Sequence, residues 1–274
     1  MQLRNVTIGA DPELFIINSE TGKVVSSIGL IPGVKGDPYV SEDMPKGFGL
    51  ETDNILAEFN IPPVKDCANF IANVLYMQDY IRKFVKNIDP KLDIKCSASE
   101  IVDKDQLQTP ESQEFGCSPD YNAYTELENP KPNVPKNGVR SAGAHIHWGY
   151  DNCNVDDSIK LVKLCDLFIG VPSVLLDPDT RRRKIYGKAG SFRLTSYGCE
   201  YRSLSSYMFS TPELLTFVWK GIERVIEEFN KPTIRVSRYE ELVIECINRS
   251  NVELAKKLCD TLKIDYLCAA SSEF

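Results

Sequence analysis

The stretch RSAGAHIHWGYD, residues 140–151, holds both histidines of a 274-residue chain, two positions apart. Residues i and i+2 of an extended strand face the same side, so a strand here points His145 and His147 together. The same spacing pairs Glu200 with Arg202 in EYR and Glu58 with Asn60 in EFN. Asp11 and Glu13, flanking Pro12, form a fourth pair. Four strands would each offer a polar pair where a simple core face takes apolar side chains. A solvated outer face of a half-exposed sheet produces such pairs as well.

Around these strands the chain alternates between sheet and helix signals. NVTIGADPELFIIN predicts strands broken at Gly9 to Pro12, and GKVVSSIGLIPGVKGDPYV a glycine- and proline-punctuated hairpin or loop. NILAEFNI predicts a strand that stops at Pro62 and Pro63, which cannot donate to a ladder. From Val64 to about Ile88, Phe70, Val74, Met77, Ile81, Phe84 and Val85 recur at helical spacing. Residues 93–101 read as a strand and 103–138 as a long loop, a length that usually carries function or mobility. DDSIKLVKLCDLFIGVPSVLL predicts a helix capped by Asp156 or Asp157. CEYRSLS reads as a strand, and TPELLTFVWKGIERVIEEF as a helix with Thr211 as cap and Pro212 at its first position. Two short helices near 238–249 and 251–264 close the chain. The expectation is one α+β domain over residues 1–274, a largely antiparallel sheet with flanking helices and a helical C-terminal segment from about 211.

Composition narrows the function. Hydrophobic residues make up 42% and charged residues 26%, as in a folded globular protein. The formal charge of −7 disfavours a general grip on long nucleic acid or an anionic membrane. No apolar run is long enough to span a bilayer, and MQLRNVTIGADPE lacks the features of a signal peptide, so a cytoplasmic location is expected. The nine cysteines form no CxxC pair and read as reduced thiols.

Carboxylates from Asp11, Glu13, Glu58 and Glu200 beside an imidazole would make an oxygen-rich site suited to Mg²⁺ or Mn²⁺. A satisfied structural histidine pair is the alternative. DPDTRRRKIYGKAGSFR gathers Arg181, Arg182, Arg183, Lys184, Lys188 and Arg193, with Gly187 and Gly190 between them. Guanidinium forks and lysines suit phosphate oxygens, although a solvated basic turn looks the same in sequence. Acids for a metal plus a basic loop point to a nucleotide–metal site.

GADPELF, GLETDNILAEFNIPP, FGCSPDYNAY, RSAGAHIHWGY, RRRKIYGKAGSFR and GCEYRSLSSY, in this order, resemble the glutamine synthetase-like carboxylate–amine ligases. The resemblance is closest to the phage-encoded COOH·NH2 ligase-type amidoligases. It implies a glutamine synthetase-like catalytic domain whose curved antiparallel sheet holds Mg²⁺ (or Mn²⁺) and ATP, in the host cytoplasm if phage-encoded. It gives Asp11, Glu13, Glu58, Glu200 and His147 to metal, with His145 a near equal at the nucleotide. Arg183, Lys188, Arg193 and Arg202 would contact phosphates, Arg193 and Arg202 acting in catalysis, and Asp53 is a candidate base. The reaction would be ATP-dependent amide formation through an acyl-phosphate. Its substrates would be a carboxylate and an amine on an amino acid, peptide or modified base; larger relatives assemble into homo-oligomers. Asp stands at 11 where that family has Glu, with a shorter reach.

Two other functions use the same residues. A metal-dependent hydrolase would turn the acids and histidines on water but has no use for the basic loop. A non-catalytic metal- or nucleotide-binding module would keep the ligands without turnover. Tyr121, Asn122 and Tyr124 in the long loop are candidates to line an acceptor pocket, or to form a plain surface loop.

Overall fold

In the computed structural model, which describes residues 2–114 and 120–266, the histidine strand lies at the middle of the main sheet. Residues 115–119 of the FGCSPDYNAY motif, with Cys117, and Cys268 near the C-terminus lie outside the described residues. The strands are β1 (Thr7–Asn18), β2 (Val24–Val25), β3 (Gly49–Asp53), β4 (Leu56–Val64), β5 (Leu92–Lys95), β6 (Ser99–Ile101), β7 (Tyr121–Asn122), β8 (Val139–Ser141), β9 (Ala144–Gly149), β10 (Ser191–Thr195) and β11 (Gly198–Tyr201). The main sheet runs β3-β4-β1-β9-β11-β10-β7, every pairing antiparallel, while β2 and β5 pair with the far end of β1. β6 and β8 form a separate pair. The four strands with polar pairs are therefore consecutive neighbours: β4, β1, β9, β11.

Several boundaries differ from the sequence reading. β1 is continuous through Pro12. The missing N–H removes one ladder bond, and Glu13 resumes pairing by donating to Gly143 O at 2.9 Å. β4 runs on through Pro62 and Pro63, because β3 pairs only as far as Asn60 and leaves that edge without acceptors to serve. Residues 93–101 split between two sheets, β5 joining β1 and β6 joining β8. The loop at 103–138 contains two short 3₁₀ turns and β7.

The sheet's other face is apolar. Ala10 and Leu14, Phe59 and Ile61, Ile146 and Trp148, and Cys199 and Tyr201 are all nearly inaccessible and join one core with helices α1 (Cys67–Ile88), α2 (Val155–Cys165), α3 (Val171–Leu176), α5 (Pro212–Asn230), α6 (Glu240–Arg249) and α7 (Val252–Leu262). A short turn, α4 (Arg182–Ile185), lies in the basic segment. Phe70 of α1 meets Phe209 at 5.7 Å and Trp219 of α5 at 5.4 Å between ring centroids. Thr211 caps α5 through the Leu214 N–H, with Pro212 first, as its sequence predicts. The α2 cap is Asn154 rather than Asp156 or Asp157. Asn154 has the extended backbone a cap needs and accepts from Asp157 N–H, leaving both aspartates in the first turn.

Between α2 and α3 the helix widens into a π turn, Asp166–Gly170, that turns Asp166 inward. Its carboxylate accepts from Tyr201 Oη at 2.8 Å, Ser203 Oγ at 3.2 Å and Gly190 N–H at 2.6 Å. Burial pushes its carboxyl up to about 7, against these donors. Below about pH 4 the carboxyl is protonated in the folded and unfolded chain alike. Between there and about 7 only the unfolded chain ionises, so this group makes stability fall as pH rises, by on the order of a few kcal/mol in all. Asp166→Asn is expected to flatten that slope, read by urea unfolding at pH 5 to 8; an unchanged slope would refute the assignment.

Candidate active site

Alternation along the strands puts one row of polar side chains across the sheet face opposite the helices. From one edge the row reads Glu51 and Asp53, Glu58 and Asn60, Asp11 and Glu13, His145 and His147, Glu200 and Arg202, then Arg193. The register sets the neighbours: Glu58 lies opposite both Glu13 and Glu51, His145 opposite Asp11, and Glu200 opposite both His147 and Arg193. Pairs on adjacent strands lie about 5 Å apart at their Cβ atoms, close enough for their heads to meet.

Asp11 sits between the histidines. His147 Nε2 is 3.0 Å from its Oδ2, and His145 Nδ1 is 3.2 Å from its Oδ1 and 3.2 Å from Glu200 Oε1. Burial pushes the Asp11 carboxyl up, but His147 and His145 together outweigh it and hold it well below the usual carboxylate range. Burial also opposes the His147 proton, and the Asp11 carboxylate more than restores it, leaving that imidazole raised. Tyr197 Oη stands 2.7 Å from His147 Nδ1 and stacks its ring on the imidazole. A hydrogen bond to the far nitrogen of a ligating histidine typically matters about tenfold or more in metal affinity. Tyr197→Phe is therefore expected to weaken Mn²⁺ binding about tenfold with little change in fold, as read by electron paramagnetic resonance titration.

Glu13, Glu58 and Asp53 make a second acidic group. Burial pushes Glu13 up despite His145. Burial, and then repulsion from Asp11, Glu13 and Asp53, pushes Glu58 well above the usual range. Lys35 Nζ lies 2.7 Å from Asp53 Oδ2. Asp53, the candidate base, thus stands beside two other acids, Glu13 and Glu58.

Two sets of ligand atoms lie mutually within 4.8 Å among the described residues: Asp11, His147 and Glu200, and Glu13, Asp53 and Glu58. Asp11 Oδ1, His145 Nε2 and His147 Nε2 are buried yet form no aligned hydrogen bond. Crowded carboxylates, unspent polar atoms and an oxygen-dominated donor set fit a hard divalent cation such as Mg²⁺ or Mn²⁺.

Arginines close the other end. Glu200, fully buried, accepts from Arg193 Nε at 2.7 Å and from Arg202 Nη1. Arg202 also donates to Tyr186 Oη at 2.6 Å and lies 3.5 Å from Asp120. Lys188 is exposed on a groove it shares with Asp120 and Tyr186.

Arg183 departs from expectation. Its guanidinium is buried away from the two acid clusters, donating to Asp179 O and Ser173 O, with Asp177 3.6 Å distant, so its fork is turned into the protein rather than toward a nucleotide phosphate beside them. Arg182 takes the inward position, donating to Ala142 O at 3.1 Å and Ser203 O at 3.0 Å. Gly187 serves this packing rather than a ligand: at φ 66° it leaves space that a Cβ would occupy 1.5 Å from Arg182 Nη1. Gly143 is equally constrained, since a Cβ there would sit 2.6 Å from His145 Nε2. Tyr121 and Asn122 pair with β10, and Asn122 caps its own turn through the Tyr124 N–H, so these residues build the loop.

The sequence reading passed over Glu51, Lys35, Asp120, Tyr186 and Tyr197. Glu51 was within reach of it, two residues before Asp53 in the same alternation. The others sit in loops, where no periodicity marks a side chain's direction.

An antiparallel sheet with two carboxylate clusters on one face, bounded by the half-buried Arg193 and the buried Arg202, defines a protein with a candidate divalent-metal centre. Residues 133–240 match the sequence model of the family described as Phage phiEco32-like COOH.NH2 ligase-type 2, the family that the motifs resemble. That name is one of a ligase joining carboxyl and amine groups. The match takes in His145, His147, Arg193, Glu200 and Arg202, and leaves the acids of β1, β3 and β4 outside it. No curated protein matches the chain. No helix among the described residues is long and apolar enough to cross a membrane.

Proposed function

We propose that the protein is an ATP- and Mg²⁺-dependent ligase of glutamine synthetase-like architecture that joins a carboxylate to an amine. The observation that carries this reading is the adjacency of two acid clusters and two arginines on one sheet face. A carboxylate is a poor acyl donor. Its oxygen attacks the γ-phosphorus of ATP, releasing ADP and leaving an acyl-phosphate, whose acyl carbon the amine then attacks with loss of phosphate. Divalent cations held by Asp11, His147 and Glu200 and by Glu13 and Glu58 would neutralise the phosphate oxygens as charge moves between them.

The chain's own residues do the rest. Glu200 fixes the planes of Arg193 and Arg202, which have further N–H groups for the transferring phosphoryl group. His145, held by Asp11 and Glu200, presents its Nε2 toward the turn at Gly143. Lys188 adds positive charge at the rim. Asp53 takes the proton that the amine must lose before it attacks.

Thermal unfolding with Mg²⁺, with a non-hydrolysable ATP analogue, and with both tests the reading. Ligand at a hundredfold over its dissociation constant stabilises by about 2.7 kcal/mol, a shift of several degrees. Stabilisation by the analogue only in the presence of Mg²⁺ is expected. A chain that responds to metal but never to nucleotide is not this ligase.

A further inference from the structure

Beside the candidate site lies a groove of about 370 Å³. Residues 129–133, NPKPN, line it with Lys131, and residues 184–188, KIYGK, line it with Lys184 and Lys188. All three lysines are exposed, and their ammonium groups have no ion-pair or hydrogen-bond partner among the described residues. The one acid that lines the groove, Asp120, is buried and engaged: its carboxylate accepts from Asn129 Nδ2 at 2.9 Å and lies 3.5 Å from Arg202. Both lysine-bearing segments are anchored. Pro130 and Pro132 restrict the backbone on either side of Lys131, and Asn129 N–H donates to Asp120 O at 2.6 Å. Opposite, Gly187 packs directly on the buried Arg182. Three positive charges are thus held around one concavity of a chain whose formal charge is −7. A concave, locally positive surface concentrates anions.

Tyr186 lines both this groove and the cleft that contains Glu13, Asp53 and Arg202, and its hydroxyl accepts from Arg202 Nη2 at 2.6 Å. The groove therefore continues from the candidate site. We propose that it seats an acidic peptide, the body of one of the ligase's two substrates, with carboxylates against Lys131, Lys184 and Lys188 and the reacting group past Tyr186 in the cleft. That the peptide is a substrate rests on the ligase reading. That the groove takes an extended anion rests on its own charge and shape. Point charges on flexible stems, spread over two segments, suit carboxylates spaced along a chain, whereas a single phosphate is better met by converging guanidinium forks. The forks of the basic segment, on Arg182 and Arg183, are turned into the protein. Number disfavours a polynucleotide: a grip on duplex nucleic acid commonly uses about six to ten phosphate contacts, and three lysines line this groove. Between the charges, Pro130, Pro132 and Ile185 offer apolar surface that peptide side chains can cover.

Calorimetric titration of the full chain in Mg²⁺ at low salt tests this, and lysine acetylation read by mass spectrometry locates the ligand. The probes are a short capped peptide of alternating Glu and Ser, its Gln counterpart, a thymidine oligonucleotide of equal charge, and inorganic triphosphate. The acidic peptide is expected to bind about eightfold more tightly than the Gln peptide, as three exposed contacts of roughly twofold each would give, and to lose that margin as salt rises. It is also expected to protect Lys131, Lys184 and Lys188 from acetylation. Lys131→Gln combined with Lys184→Gln should weaken it about fourfold on the same scale, while Mg²⁺-dependent stabilisation by the ATP analogue is kept. Equal binding of the two peptides overturns the inference, as does absence of acidic-peptide binding at millimolar concentration or binding that leaves the three lysines unprotected. Equal or tighter binding of the oligonucleotide or triphosphate at these lysines overturns the assignment to a peptide. Displacement of the peptide by the ATP analogue with Mg²⁺ does so too, by giving the groove to the nucleotide. Failure of nucleotide to bind, with peptide binding intact, would instead strike the ligase reading alone.

Discussion

Glu200→Gln is expected to abolish the Mg²⁺-dependent stabilisation by an ATP analogue and to lower substrate-dependent ADP release by on the order of a hundred- to a thousandfold. The substitution keeps the shape of the side chain and removes its charge. Three cationic or ionisable groups converge on that carboxylate: Arg193, Arg202 and His145. Without the negative charge the two guanidiniums repel one another, and the cluster with Asp11 and His147 loses its buried acid. Gln can still accept a hydrogen bond through its amide oxygen, so the fold should survive with a moderate loss of stability. The measurement is a paired one, thermal unfolding with and without Mg²⁺ and analogue, beside ADP release once an acid and amine are in hand. Retention of both in Glu200→Gln would remove this residue from the centre of the site.

Arg182→Met is expected to be the most destabilising single change in the basic segment, costing about 3 to 5 kcal/mol, whereas Lys184→Met should cost little. The contrast follows from burial. Arg182 is 1% exposed and its guanidinium donates to Ala142 O, Ser203 O and Arg202 O, tying the basic segment to the turn before the histidine strand and to the chain after β11. Methionine fills much of the volume but leaves those carbonyls without donors. Lys184 is exposed. Urea unfolding of the two variants checks the difference. Because Arg182 lies beside Gly143 and His145, loss of its anchoring should also disorder the Glu13–Gly143 contact. Metal affinity would then fall together with stability.

These two residues also mark where sequence stops being informative. Glu200 was legible because a strand's side chains alternate, and EYR announces a strand with two charged residues on one side. The same local rule found His145 and His147, Glu58, and the pair Asp11 and Glu13. It holds whichever strands become neighbours. The long helices were legible for a similar reason, their apolar spacing and caps being written within each segment, although Asn154 rather than an aspartate took one cap.

Arg182 was not legible. In the run of three arginines nothing local distinguishes the one turned toward Gly143 from Arg183, which faces Ser173, Asp177 and Asp179 instead. A one-residue difference on a helical turn rotates a side chain by about 100°, and only the packed surroundings decide which rotation is inward. Asp53 likewise joined Glu13 and Glu58 because β3 pairs with β4, a register no spacing within ETDN specifies. The sequence by itself determined which residues share a face along each strand and where the main helices run, since both depend on backbone periodicity. The tertiary structure decided strand order, register and loop paths. Those depend on contacts between residues far apart in the chain, and they alone assembled two acid clusters and a pair of arginines on one face.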